Sequence, residues 1–368
     1  MGKISSKATS ALKTTRIPFW GFLFHVTVLD GRARFGGANI RVLYAGTKPF
    51  LHYFKELVFC EPPKEERVGS YKIYEMPRVC EELGCDIEIF RSHQSLANMG
   101  LFPSAYFIPE WIAGTANLKK QLDCESTSKS RRRDRALLTR NDISYSVTRK
   151  LSDLDDFYDK MYLPHIEQKH GGSVFLMTRE QMHSRVKNDD ARLVMVHRRN
   201  EPVGGSLIIQ EKGLPRLYSQ GVLNNDKDLM RLGVGTAIYL YSFDYLINAG
   251  YSRVNMGWSR TFLTDGSLYF KQRFGLKIGE TSPIGHYLKH TSGSKAANEF
   301  MAQTGFMQHR RGSSSAVLFG ACDSERDQHL VARKTRQCES MGVDRVVAVD
   351  LKQAKPSSEY SGFQEKAG

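Results

Sequence analysis

Apolar positions along the chain form short alternating runs broken by glycine and proline, with a few longer stretches at helical spacing. Phe24 to Leu29 and Ile40 to Tyr44 read as strands, with Gly31, Gly36 and Gly37 as turn punctuation. Phe50 to Val58 has helical spacing, and Glu61-Pro62-Pro63-Lys64 breaks the chain after it. Met76 to Leu83 reads as a second helix, stopped by Gly84. Asp86 to Phe90 and Ala105 to Ile108 follow as strands, the latter framed by Pro103 and Pro109. Residues 19–115 therefore read as one mixed α/β unit, behind a basic disordered tail over residues 1–18.

Residues 116–141 are polar and basic and include Arg131-Arg132-Arg133-Asp134-Arg135, which reads as a linker or a basic helix. The pattern is clearest over residues 142–285. Asp142 to Val147 is a strand. Leu154, Phe157, Met161 and Ile166 place an amphipathic helix over Ser152 to Lys169, bent by Pro164 and stopped at His170-Gly171-Gly172. Thr178 with Gln181 forms a capping box for a helix reaching Val186. Strands follow at Arg192 to His197, Pro202 to Gln210 and Arg216 to Val222. A polar loop, Leu223 to Leu232, leads to Gly233-Val234-Gly235-Thr236 and a long apolar helix ending near Ala249. Arg253 to Met256 is a strand, Ser267 to Arg273 a short helix, and Leu276 to Ile278 a last strand. Residues 286–368 read as a polar extension with one strand-like patch, Val346 to Leu351, and no repeat of fixed period is present.

Composition narrows the class. The 368 residues are 40% hydrophobic and 25% charged, which excludes disordered and fibrous chains. No apolar run approaches the roughly 18 residues of a membrane span. The net charge is +14, concentrated in residues 1–29 and 119–150. Clustered base implies a polyanionic partner or a solvated basic face, and these remain open. The six cysteines form no CxxC and no histidine stands at zinc-finger spacing from them, so reduced thiols in a cytoplasmic protein are expected, without a metal. The basic start and the apolar run from Pro18 mimic a signal peptide, but Pro18, Gly21 and His25 interrupt the run. Met1-Gly2-Lys3-Ile4-Ser5-Ser6 also fits the short myristoylation pattern.

Chemistry concentrates in two places. A helix amino terminus leaves amides without partners and favours an anion. Gly233 and Gly235 would let a phosphate approach the backbone there, with Arg231 and Lys227 beside it. Close helix–strand packing explains the same glycines equally simply. A P-loop is excluded because Thr236-Ala237 follow Gly235 in place of Lys-Ser/Thr, and a dinucleotide fingerprint because Ile238 stands at the third glycine position and Asn255 where an acid is needed. The second place is Asp265-Gly266-Ser267-Leu268-Tyr269-Phe270-Lys271-Gln272-Arg273-Phe274-Gly275.

On these residues, together with Met256-Gly257 and the Pro164/His170-Gly171 helix end, the chain resembles the GNAT acyltransferases. It is most similar to their Fem/CelD-like branch, in which two GNAT-like units stand in tandem. The resemblance implies two twisted mixed sheets flanked by helices, the second unit intact and the first degenerate. It also implies acyl transfer to an amine, with acyl-CoA or acetyl-CoA as donor and a small-molecule, glycan or peptide acceptor, in polysaccharide or cell-envelope biosynthesis. In Fem-type relatives the donor is aminoacyl-tRNA, which the basic 119–150 stretch would contact. An inactive GNAT-fold binding scaffold is a third expectation.

The expected sites follow. Arg231, Leu232, Gly233, Val234, Gly235 and Thr236 would hold the donor's phosphates. Lys271, matching the family's Phe-Lys pair, would stabilise a developing oxyanion. Tyr269 would protonate the leaving thiolate and His170 would act as general base. Arg260, Asp265 and Phe270 would contact substrate. Each has a plainer alternative: a surface lysine, a core-edge aromatic, a helix-end histidine, loop ion pairs. The family's Arg or Gln three residues before the first glycine is Met230 here, and its usual tyrosine acid is replaced by Lys271.

Overall fold

The computed structural model describes residues 23–98, 105–170, 177–211, 213–290, 293–310, 313–320 and 325–351. The expected tail over 1–18, the myristoylation pattern and residues 352–368 lie outside the described residues. In chain order the first elements are β1 (Leu23–Arg32), β2 (Asn39–Ala45), α1 (Lys48–Val58), β3 (Lys64–Lys72), α2 (Met76–Glu82), β4 (Ile87–His93), α3 (Gln94–Asn98), β5 (Tyr106–Pro109) and β6 (Ile112–Asn117). Next come α4 (Leu118–Thr127), α5 (Lys129–Arg140), β7 (Ile143–Thr148), α6 (Leu151–Phe157), α7 (Leu163–His170), α8 (Arg179–Lys187), β8 (Ala191–Arg198), β9 (Glu201–Glu211) and β10 (Leu214–Val222). The last are α9 (Lys227–Arg231), α10 (Val234–Asn248), β11 (Arg253–Ser259), α11 (Gly266–Arg273), β12 (Lys277–Thr281), β13 (Ile284–His290), α12 (Lys295–Thr304), β14 (Phe306–Arg310), β15 (Ser313–Gly320), α13 (Glu325–Ser340) and β16 (Arg345–Asp350).

The protein is a mixed α/β fold with three sheets. A six-stranded sheet has the order β3-β1-β2-β4-β13-β5, a seven-stranded sheet the order β12-β6-β11-β10-β9-β8-β7, and a three-stranded sheet the order β14-β15-β16. The strand period of two is visible in the second sheet. Val194, Val196 and Ile208 face the core around α10, whereas Leu193, Met195, Leu207 and Ile209 face the core of α6 and α8. That sheet is therefore covered on both faces, and α10 is apolar nearly all round because it is deeply buried.

The sheets do not follow the division expected at 115/116 and 285/286. Strand β6 lies between β12 and β11 in the second sheet, and β13 lies between β4 and β5 in the first. The segment expected to be a polar extension contains two helices and three strands among its described residues. Its Phe300, Phe306, Val317 and Phe319 join the aromatic core of the first unit, and Met307, Ala316 and Leu318 join the core of the second. Apolar residues spaced by serine, glycine and lysine hid this pattern.

The helix expected over Ser152 to Lys169 is two helices joined by a π-helical turn, Tyr158–Tyr162. Pro164 has no amide hydrogen to give, and the Leu163 amide reaches back to the Tyr158 carbonyl, five residues earlier. The turn lies against β10. A Cβ on Gly221 would come within 2.5 Å of the Met161 backbone, so only glycine fits there. The capping box at Thr178 and Gln181 is formed.

Candidate functional site

Strands β10 and β11 run parallel and are paired at a single register point, Arg216 with Asn255. Each bulges next to that point: β10 between Leu217 and Ser219, β11 between Asn255 and Trp258. Beyond that point no further register pair joins the two strands, so their carboxyl-terminal ends border a candidate crevice, at the place where α/β sheets put ligands. The β11 bulge is built by specific groups. Gly257 has a left-handed φ of 71° and donates its amide to Asn255 Oδ1 at 2.8 Å. A Cβ on Gly257 would approach the Leu217 carbonyl to 3.1 Å. Lys271, only 4% exposed, donates from Nζ to the Trp258 carbonyl at 2.7 Å.

Two helices begin beside this crevice. Helix α10 starts at Gly233, whose φ is 100°. The space its missing Cβ frees faces Leu137 and Leu138 of α5, both 3.1 Å away, and that at Gly235 faces the Met230 sulfur at 3.1 Å. The Gly233 amide donates to the Met230 carbonyl at 3.1 Å, and Asn141 donates to the Leu232 carbonyl at 2.8 Å. The glycines thus serve a left-handed turn and close packing. In the first turn of α10, Val234 is fully buried, whereas Gly235 and Thr236 are half-buried. Arg231 stands on the surface in a 2.6 Å ion pair with Asp228.

Helix α11 is capped by Asp265, which accepts from the Leu268 amide at 2.9 Å. The three adjacent residues expected to act together point apart. Tyr269 is 55% exposed, Lys271 lies under β11, and Phe270 packs on Tyr239 and Phe274 at ring distances of 5.3 and 5.1 Å. Positions two apart on a helix face different sides. His170 is the last residue of α7, and its side chain lies outside the described residues. His165, on the same helix, meets Asn225 Oδ1 through Nδ1 at 3.1 Å, just beyond the end of β10.

The basic stretch is partly internal. Arg131 stacks on Phe274 at 4.1 Å and donates to the Arg273 carbonyl and to Gln121. Arg135 grips Asp244 with two bonds of 2.6 and 2.8 Å. Lys119, Lys120, Lys129, Arg132, Arg133 and Arg140 remain exposed.

Arg260, expected to be a loop residue, is 5% exposed where β11 meets the first unit. Its guanidinium lies 3.8 Å over Trp111 and 5.0 Å from the Tyr53 ring, with Glu110 4.0 Å away. Burial lowers its pKa, against the pull of Glu110, Tyr53 and Asp265. Trp111, Glu110 and Tyr53 carry no sequence signal, because the other unit supplies them. Among the described residues no three His, Cys, Asp or Glu side chains cluster as a metal site, and no helix is long and apolar enough to cross a membrane.

Residues 126–272, which hold α5, the crevice and Lys271, match the family model described as an acetyltransferase (GNAT) domain. Acyl transfer is the chemistry that this match supports. Among solved structures, L-PGS from Bacillus licheniformis is 13% identical, over 74% of this chain and 87% of that one, with a TM-score of 0.34. The PaiA N-acetyltransferase of Thermoplasma acidophilum, in complex with coenzyme A, is 10% identical over 40% of this chain and 99% of that one, with a TM-score of 0.27. An aminoglycoside acetyltransferase from an uncultured soil metagenome is 16% identical over 31% and 76%, with a TM-score of 0.25. No curated protein matches the chain.

Proposed function

We propose that this chain moves an acyl group from acyl-CoA to an amine. The observation that carries the reading is the parallel pair β10–β11, joined at one register point with no register pair beyond it, inside the segment that matches the acetyltransferase domain. A linear thioester carrier with amides along its arm suits such strand edges. Its diphosphate suits the amides and dipole at the first turn of α10.

The acceptor amine, in its neutral form, attacks the thioester carbonyl carbon. The new carbon–nitrogen bond forms, the carbon–sulfur bond breaks, and the proton lost by nitrogen balances the one that the sulfur needs. Lys271 fixes a cation beneath the Trp258 backbone, where it favours negative charge on the carbonyl oxygen. His165 is the better-supported base, since Asn225 orients its ring at the strand end; His170 is the other. With Tyr269 turned outward, the thiolate takes its proton from the amine through solvent or from that base. A glycan, peptide or small amine of cell-envelope biosynthesis in the cytoplasm is the setting that the family resemblance suggests.

Calorimetry on the full chain tests the donor. Acetyl-CoA binding that is lost in Gly235→Glu supports the reading. Salt-steep binding of charged tRNA without CoA binding would replace it with the aminoacyl-tRNA reading, and no binding of either would leave a scaffold.

A further inference from the structure

The junction between the two units holds more buried donors than acceptors. The Arg260 Nε and Nη1 and the Arg91 Nε are buried with no hydrogen-bond partner among the described residues. Glu110 is the one carboxylate in direct reach of both guanidiniums, 3.4 Å from Arg91 and 4.0 Å from Arg260. The Tyr53 hydroxyl and both ring nitrogens of His286 are also buried without a partner. His286 stacks on Phe50 at 3.4 Å and is kept neutral by burial and by the two arginines. Two guanidiniums thus share Glu110 at close range, with Asp265 acting on Arg260 from farther off.

Each buried donor left unmade costs about 1–3 kcal/mol, so several at one spot mark a place built for an acceptor. Trp111, on which Arg260 lies, and Tyr53 and Glu110 are half-buried and form the rim. Arg260 directly follows Ser259, the last residue of β11, so the cluster adjoins the candidate crevice at the ends of β10 and β11. Helix α7 packs against both α1, which carries Phe50 and Tyr53, and the turn after β10. The planar guanidinium fork suits a carboxylate, and the aromatic faces suit a small organic body.

We infer that Arg260 anchors the carboxylate of the acceptor, so that the substrate is an amine that also carries a carboxylate, of the amino-acid class. This rests on the acyl-transfer reading for what happens to the amine, but not for the binding itself. Glu110 competes with the ligand for Arg260 and sets how tightly it is held.

The test uses product analogues that differ only in the carboxylate. N-acetylglycine, N-acetylalanine and N-acetylglutamate are titrated against their carboxamides, read by calorimetry and by tryptophan fluorescence. At least one acid is expected to bind about tenfold or more tightly than its amide. Arg260→Gln should abolish the preference. Because that variant removes a buried group, Glu110→Gln supplies a second reading: it should tighten the acid several-fold while leaving the amide unchanged. Equal binding of acid and amide across the panel, no binding of any, or a preference kept in Arg260→Gln would overturn the inference. So would loss of stability in Glu110→Gln without tighter acid binding, which marks a purely structural ion pair. Acetyl-CoA binding, measured separately, reports on the acyl-transfer reading alone.

Discussion

Lys271 shows how one residue type can carry either a structural or a chemical role. An ammonium removed from water costs several kcal/mol unless it is well paired, and the Trp258 carbonyl at 2.7 Å offsets that here. Lys271→Met should leave acetyl-CoA affinity within about threefold while lowering turnover more than about tenfold, because it removes charge near the reacting oxygen. Equal losses in affinity and turnover would reduce Lys271 to a support for the β11 bulge. Glu88 is a different case, remote from the crevice. It is 1% exposed, both its oxygens lack a hydrogen-bond partner among the described residues, and burial pushes its pKa up to about 7 from 4.5 despite the attraction of Lys289. An acid whose folded pKa is raised binds more protons folded than unfolded. The wild type should therefore lose stability as pH rises from about 4.5 to about 7. Glu88→Gln should be more stable than wild type by roughly 2–3 kcal/mol at pH 8 and level with it near pH 4. Urea midpoints at the two pH values measure this. Neither residue's environment was legible in the sequence, since a lone lysine or glutamate reads as surface.

At the scale of the element, pattern and punctuation carried far. The strands expected at Ile40 to Tyr44, Arg192 to His197 and Arg216 to Val222, and the helix opened by Gly233, lie within a residue or two of their observed bounds. Some elements were missed because their pattern is not amphipathic. Strand β3, Lys64–Lys72, is a charged and mostly exposed edge strand, which is how sheets avoid pairing with other chains. The π-helical turn left only Pro164 as a mark; that the Met161 backbone rests on Gly221 shows in no local pattern. Gly221→Ala should push that turn away from β10. It should cost at least about 2 kcal/mol and impair acceptor use more than donor binding, read as a larger change in the acceptor KM than in acetyl-CoA affinity. An unchanged melting temperature would show that the turn yields freely.

For the whole molecule, the decisive feature is the exchange of strands. The chain enters the second sheet at β6 and returns to the middle of the first at β13, and the third sheet's apolar residues serve both cores. Separate unfolding of two units would leave β4 and β5 without the strand between them. The full chain should therefore melt in one calorimetric transition, and a version ending at residue 283 should fail to fold. Two resolved transitions would contradict this. The same exchange sets Arg260 from one unit beside Trp111, Glu110 and Tyr53 near the other. The sequence by itself determined what depends on near neighbours: the alternation that makes strands, the caps and stops of helices, the glycines that open the helix at 233, and the run 265–275 by which the GNAT resemblance was seen. Only the tertiary structure decided that Gly233 meets Leu137 and Leu138 of another helix, and that buried donors gather around Arg260. These are matters of which distant segments meet, and contact between residues far apart in the chain leaves no local pattern to read.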